Sequence, residues 1–231
     1  MKYTVWKDKK IGVVIVAGGS GSRMGADVPK QFLRVGEEPI LALTVRKWLP
    51  YADRMVVVLP AEQQGLWGEL TRECGLVGTH SVCTGGATRY DSVRSGLGEL
   101  GECDIVAIHD GVRPLLSGAM IERGLECAVT NGSAIPTTAA VDSFRMEIEG
   151  ELQVVNRSKL HAIQTPQIFE SGLLTKAYEH EWQESFTDDA TVVEGAGVEL
   201  HYYEGERGNL KITTPIDLII AEAIIKSEIE N

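Results

Sequence analysis

With 231 residues, 22 of them Lys or Arg against 33 Asp or Glu, the chain carries a formal net charge of −11. That length allows one large α/β domain with a sizeable core, and the charge argues against a nucleic-acid binder, which would show a basic face. An acidic chain that binds a polyanion must gather its cations locally; Arg23, Lys30, Arg113, Arg157 and Lys211 are the candidates.

The N-terminal MKYTVWKDKK has no apolar core of signal-peptide length, and no run approaches a membrane span. Cys74, Cys83, Cys103 and Cys127 are scattered without a C-x-x-C pair, which points to reduced thiols rather than a disulfide framework or zinc site. A cytoplasmic, soluble protein is expected.

Ile11–Val16 is a short β-branched apolar run of the kind that forms a strand buried on both faces. It breaks into Gly18, Gly19, Ser20 and Gly21, with Arg23 and Lys30 just beyond. Glycines let backbone amides crowd a phosphate, and the two cations neutralise charge that amides alone cannot. The loop is not a Walker A motif, having no Gly-Lys-Ser/Thr, and Met24 stands where a dinucleotide fingerprint needs its third glycine.

Ile40–Trp48 has helical spacing, residues 55–59 read as a second strand, 61–74 as a helix and 80–83 as a third strand. Gly85-Gly86 precedes a helix over Arg89–Leu100, and a fourth strand at 104–108 ends in His109-Asp110-Gly111. Ser117 is a plausible N-cap for a helix reaching Asn131, followed by a strand at 134–136. Such alternation predicts a parallel sheet covered on both faces, with ligands at the carboxyl ends of the strands. The glycine loop, Gly85-Gly86 and Asp110 all fall at those ends.

Residues 139–161 break the rhythm. Two alternating runs flank a turn at Glu149-Gly150-Glu151, which predicts an antiparallel hairpin projecting from the sheet. Since a two-stranded ribbon is marginal alone, it should pack on its twin in a homodimer or fold back on its own domain. A helix at 171–184, a strand at 198–204 and a helix at Pro215–Ile229 complete the expected elements.

Further motifs follow in order: G-G-A-T-R-Y-D-S-V at 85–93, H-D-G-V-R-P at 109–114, N-R-S-K-L-H-A-I-Q-T-P-Q at 156–167, T-D-D-A at 187–190 and N-L-K-I-T-T-P at 209–215. With the glycine loop, this series resembles the 2-C-methyl-D-erythritol 4-phosphate cytidylyltransferases. The resemblance implies a Rossmann-like nucleotidyltransferase fold: a mostly parallel twisted sheet with helices on both faces and a projecting β-hairpin dimerisation arm. Residues 1–231 would form a single domain, with 139–161 as the arm. The implied reaction is attack of 2-C-methyl-D-erythritol 4-phosphate on the α-phosphorus of CTP, giving 4-diphosphocytidyl-2-C-methyl-D-erythritol and pyrophosphate, with Mg²⁺ as the divalent cofactor. Ribitol-5-phosphate cytidylyltransferases share most of the motifs, so ribitol 5-phosphate is the alternative acceptor; a nucleotide-binding regulatory module without turnover is the alternative outside catalysis.

By motif position, the resemblance puts Arg23 and Lys30 on the triphosphate, with Ala17, Gly18, Gly19, Ser20 and Gly21 holding its phosphates through their backbone. Gly85, Gly86 and Ser92 would meet the cytosine and ribose, Gly111 would flank the nucleotide, and Asp110 would serve the metal or the ribose. From spacing alone, Gly85-Gly86 reads equally well as a strand-to-helix turn, and Asp110 as a local cap or a partner of Arg113. His109 reads as a packed histidine, and Arg113 as either structural or a ligand contact. On the acceptor side the resemblance implies Arg157 and Lys211 around the attacking phosphate, Asp142 and Ser143 on the hydroxyls, and Thr165 and Thr187 nearby. Arg157, at the end of the hairpin, would serve the partner's site. Three positions depart from the family pattern: Ala17-Gly18-Gly19 for Ala-Ala-Gly, Gly111-Val112 for two alanines, and Ser143 for threonine.

Overall fold

The structure, a computed structural model, describes residues 6–19 and 28–229. In chain order the elements are β1 (Ile11–Val16), β2 (Arg34–Val35), β3 (Glu38–Pro39), α1 (Ile40–Trp48), β4 (Arg54–Leu59), α2 (Gln64–Glu73), β5 (Ser81–Thr84), α3 (Arg89–Leu100), β6 (Ile105–Asp110) and α4 (Gly118–Asn131). There follow β7 (Ser133–Ala139), β8 (Arg145–Ile148), β9 (Glu151–Val154), β10 (His161–Ile163), β11 (Gln167–Glu170), α5 (Ser171–Ala177), α6 (Asp189–Gly195), β12 (Tyr202–Glu204) and α7 (Pro215–Ile229).

The main sheet has the order β10-β7-β11-β6-β1-β4-β5, with β12 added alongside β7. The strands β6, β1, β4 and β5 are parallel to one another, as the alternation predicts. Because side chains alternate across a strand, each face collects its own core. Val13 and Ile15 of β1, Val57 and Leu59 of β4 and Ala107 of β6 meet α1, α2 and α4 through Trp48, Trp67, Met120 and Leu125. On the opposite face Val14, Val56, Val58, Val106 and Ile108 meet α3, α5 and α6 through Val93, Leu174 and Val193. Among the described residues no helix is long and apolar enough to cross a membrane.

Caps fix where helices begin. Ser117 accepts the Met120 amide at 3.0 Å, as its N-cap position predicts. Thr88 and Asp91 form a reciprocal capping box at the start of α3. The α4 helix stops at Gly132, whose φ of 85° is the left-handed conformation that lets the chain turn into β7.

Several elements differ from the sequence expectation. Between β6 and β7 lies β11, antiparallel to both, where the sequence shows only the tail of a motif. With two apolar residues between Gln167 and Glu170 it is too short to show a period; its neighbours on both sides make it a strand. The helix expected over 171–184 ends at Ala177, because residues 179–185 carry no stripe to bury and are exposed throughout. The short α6 was not anticipated, and the strand expected at 198–204 pairs only over Tyr202–Glu204.

The hairpin forms as expected. Its stem is the β7–β10 pair, extended by the Ala140 amide donating to Leu160 O at 3.0 Å. Its tip is β8–β9, closed by Glu149 (φ 52°) and Gly150 (φ 84°), both left-handed as a two-residue hairpin turn requires. Every residue of β8 and β9 is exposed, including Met146 and Ile148 on one face and Leu152 and Val154 on the other.

Two glycines of α3 test the packing between helix and sheet. A Cβ at Gly96 would lie 2.5 Å from Val14 Cγ1 and 2.9 Å from Val58 Cγ2, whereas one at the exposed Gly98 would meet nothing within 4 Å. Gly96→Ala should destabilise by about 1–3 kcal/mol, because overpacking stiff valines outweighs the helix-propensity gain. Gly98→Ala should stabilise by up to about 1 kcal/mol. Urea unfolding of both variants measures the pair; a stabilised Gly96→Ala would refute the direct contact of α3 on β1 and β4.

Candidate active site

At the carboxyl end of β1 the chain leaves the sheet as Ala17-Gly18-Gly19. The Ala17 amide still donates to Val58 O at 3.0 Å, extending the β4 ladder by one bond. Its carbonyl accepts from Gln31 Nε2 at 2.7 Å, so a fully buried glutamine fastens the loop to the turn at Lys30–Phe32. A Cβ at Gly19 would lie 3.5 Å from Lys30 Cε, placing the lysine stem across the loop. The expected site residues Ser20, Gly21 and Arg23 lie outside the described residues.

Where β5 gives way to α3, the Gly85 amide donates to Leu59 O at 3.0 Å and the Gly86 amide to Ser92 Oγ at 3.2 Å. Ser92 Oγ in turn donates to Thr88 O at 3.0 Å, so this hydroxyl holds the turn together. Any Cβ on Gly86 would fall 2.2 Å from Asp91 Cβ; the capping box leaves room for glycine only.

The third stretch is the end of β6. Asp110 is buried, with Lys211 Nζ at 3.0 Å and Arg113 Nε at 3.4 Å from Oδ2, and Arg89 Nε at 3.7 Å from Oδ1. Burial alone would raise this carboxyl, but the charges of Arg89, Lys211 and Arg113 outweigh it and hold Asp110 well below the usual carboxylate range. Arg113 also donates to Asn209 O at 2.8 Å, and Asn209 Nδ2 donates to Thr165 O at 2.8 Å. Arg113 therefore ties the loop before Lys211 to the strand end beneath the site.

His109 points to the other face of β6, against the edge of Trp48 at a ring-centroid distance of 5.9 Å. Burial pushes it down to about 4, so it is neutral at physiological pH. Its Nε2 lies 3.2 Å from Arg113 O, which can only accept, so the proton sits on Nε2. Nδ1 then accepts from Thr165 Oγ1 at 3.0 Å, and Thr165 Oγ1 accepts the Asp110 amide at 3.1 Å. The Thr165 hydroxyl is thus used inside this chain of bonds.

Lys211 reaches Asp110 because its neighbours are pinned. The buried Ile212 donates its amide to Val112 O at 2.9 Å. Asp217 Oδ2 collects the amides and hydroxyls of Thr213 and Thr214 at 2.8 to 2.9 Å, which fixes the start of α7.

These stretches enclose one cavity of about 270 Å³, lined among others by Ala17, Gly18, Gly19, Lys30, Gly86, Ser92, Asp110 and Lys211. Gly85 and Gly111 flank it through the strand-end bonds Gly85 N to Leu59 O and Gly111 N to Val16 O. Asp142, Ser143, Arg157 and Thr187 are exposed and do not line it. Asp142 instead borders a separate, mainly apolar cavity of about 420 Å³ at the base of the hairpin, and Arg157 donates to Val141 O at 2.8 Å. Among the described residues, Asp110 is the only acidic one lining the first cavity, and no group of three His, Cys, Asp or Glu suited to a metal occurs.

Two residues at this site were not singled out from the sequence. Arg89 lines the cavity, and its partner Asp189 is completely buried. Both stand within the quoted motifs, T-R-Y-D and T-D-D-A, and a charged pair in two such motifs was the available signal.

The family model described as "IspD: 2-C-methyl-D-erythritol 4-phosphate cytidylyltransferase" matches residues 11–227. A 2-C-methyl-D-erythritol 4-phosphate cytidylyltransferase of Bacteroides fragilis is 44% identical over 214 residues, covering 92% of this chain and 98% of the relative. Its counterpart from Bacteroides thetaiotaomicron is 43% identical over 218 residues, covering 94% and 100%. Among solved structures, a 4-diphosphocytidyl-2C-methyl-D-erythritol synthase from Anaerococcus prevotii superposes with a TM-score of 0.82 at 26% identity, covering 97% of this chain and 100% of that one. The Thermus thermophilus 2-C-methyl-D-erythritol 4-phosphate cytidylyltransferase gives 0.75 at 31% identity, covering 94% and 99%. The chain belongs to the IspD family and is a nucleotidyltransferase that moves a cytidylyl group from CTP to 2-C-methyl-D-erythritol 4-phosphate in the non-mevalonate isoprenoid pathway.

Proposed function

We propose that the cavity between Lys30, Asp110 and Lys211 holds the CTP phosphates during transfer, that Mg²⁺ assists there, and that the enzyme works in the cytoplasm as a homodimer through residues 139–161. The observation that carries the reading is that Lys30 and Lys211, far apart in an acidic chain, face one cavity floored by the β1 loop. Lys30 grips the triphosphate, joined by Arg23, while the backbone of residues 17–21 holds the phosphates. Gly85, Gly86 and Ser92 form the turn against which the base and ribose lie, with Gly111 beside them. A phosphate monoester is largely dianionic at neutral pH and needs no proton removed before it attacks the α-phosphorus. The residues then have to align the reactants and meet the growing charge on the equatorial oxygens, which is work for cations.

A single carboxylate suits Mg²⁺, which binds through one or two carboxylates and takes its remaining ligands from substrate phosphates and water. Asp110 would hold the ion, whose charge would offset that of the departing pyrophosphate. Lys211 and Arg157 steer the acceptor phosphate. Asp142 and Ser143 meet its hydroxyls, and Thr187 serves the acceptor side. Thr165 serves the same end from below by fixing the Asp110 amide. Arg157 lies on the hairpin, away from its own chain's cavity, and acts in the partner's site. The apolar residues on both faces of β8–β9 supply the surface for that pairing.

Lys30→Ala should cut kcat by about 10²-fold or more, about 2.7 kcal/mol of transition-state stabilisation, in a pyrophosphate-release assay. Mixing inactive Lys30→Ala and Arg157→Ala proteins under conditions of subunit exchange should restore activity to about a quarter of wild type. Half the random pairs are mixed dimers, each with one intact site. No recovery would place Arg157 in its own chain's site. Below pH ~6 the rate should fall about tenfold per unit as the acceptor phosphate takes up its second proton. His109, neutral down to about 4, and the low-lying Asp110 add no limb above that range. An acid limb centred above pH 7 would reveal a general base.

A further inference from the structure

Arg89 opens α3 and its guanidinium stands between two carboxylates contributed by different elements. Its terminal nitrogens pair side by side with Asp189, Nη1 at 3.0 Å from Oδ1 and Nη2 at 2.7 Å from Oδ2. Its Nε edge faces Asp110 Oδ1 at 3.7 Å. Asp189 receives a third bond from the Tyr178 hydroxyl at 2.6 Å, and the Tyr178 ring stacks on Tyr90 with centroids 4.8 Å apart. Asp189 itself is set by the start of α6, where Gln167 Oε1 accepts the Ala190 amide at 2.7 Å and Gln167 Nε2 donates to Asp188 at 2.9 Å.

This is a costly arrangement unless the charges are needed. A completely buried carboxylate is tolerated only when paired and hydrogen-bonded, and apolar residues of the same shape would serve packing as well or better. A cation free to turn into the cavity would bind a triphosphate directly. Arg89 is instead held by the two terminal nitrogens that would make an end-on bidentate contact with phosphate, while its Nε faces Asp110.

We propose that Arg89 is a positioning residue for cytidylyl transfer: anchored by Asp189 and Tyr178, it fixes the Asp110 carboxylate and is kept from clamping the nucleotide itself. The inference rests on the reading that this cavity takes the CTP phosphates. Asp189 is therefore the element that sets how much positive charge the triphosphate meets. Neutralising it releases Arg89 toward the strongest anion within reach, the bound nucleotide, so that ground-state binding tightens while the alignment of Asp110 and Lys211 is lost.

The test is steady-state kinetics with direct CTP binding by calorimetry. Asp189→Asn should bind CTP several-fold more tightly, with kcat reduced about tenfold, a split that general loosening of the fold does not produce. Arg89→Gln combined with Asp189→Asn should abolish the tighter binding, since the released charge is gone, and keep the low kcat. Weaker or unchanged CTP binding in Asp189→Asn, or tight binding that survives in the double variant, would overturn the proposal. Should Asp189→Asn fail to fold, Tyr178→Phe decides: it removes one bond and no charge, and should shift both parameters in the same directions by about two- to threefold. Wild-type values for Tyr178→Phe would then overturn it. Unaltered CTP affinity in Lys30→Ala would instead sink the assignment of the cavity to the nucleotide.

Discussion

A carboxylate removed from water at the end of a β-strand is unfavourable by itself, and the surroundings of Asp110 compensate it with three cations drawn from three parts of the chain. Arg113 comes from the turn directly after β6, Arg89 from the start of α3, and Lys211 from the loop before α7. Each is fixed by contacts of its own: Arg113 by Asn209, Arg89 by Asp189, Lys211 by the bonds of Ile212 and the Asp217 cap. Removing the carboxylate would leave like charges facing one another, so the cavity's shape and its field depend on the same group.

The sheet makes this convergence possible. In parallel strands all carboxyl ends lie on one edge, so the loops after β1, β5 and β6 meet there without long detours. The antiparallel β11 starts at that edge and runs away from it, so Thr165, just ahead of the strand, lies under the Asp110 amide. Neutral His109 then links Thr165 to the Arg113 carbonyl, so the strand end is braced from the core side while its other face stays open to ligand. The bonding leaves each donor and acceptor in this chain with one role, which fixes the direction of every proton.

The hairpin follows a different logic. Its stem belongs to the main sheet, but β8–β9 is exposed at every residue and displays apolar residues on both faces. An isolated ribbon of this kind gains its stability by covering those residues, which is the role proposed for a second copy of the chain. Asp142 and Arg157 sit at its base and near the cavity that Phe144 and Leu160 help to line, apart from the cavity of the same chain that Lys30, Asp110 and Lys211 line. The acceptor site shared between subunits, as proposed above, would account for that separation.

The local sequence was enough to determine the strands β1, β4 and β6, the starts of α3 and α4, and the hairpin. Each is written in short-range signals: β-branched runs, Thr88 with Asp91, Ser117, and Glu149-Gly150. The order of the motifs likewise disclosed the reaction, and several of the residues it singled out, among them Gly18, Lys30, Asp110 and Lys211, line one cavity. What only the tertiary structure decided were features without a local period or a local partner. Strand β11 exists because two neighbours hydrogen-bond it, and α5 ends where burial ends. Thr165 turned inward because His109 and the Asp110 amide claim its hydroxyl, and the pairing of Arg89 with Asp189 arises from two helices meeting at one sheet edge. Interactions across such distances in the chain leave no spacing to read; they are fixed by which surfaces the packed sheet brings together.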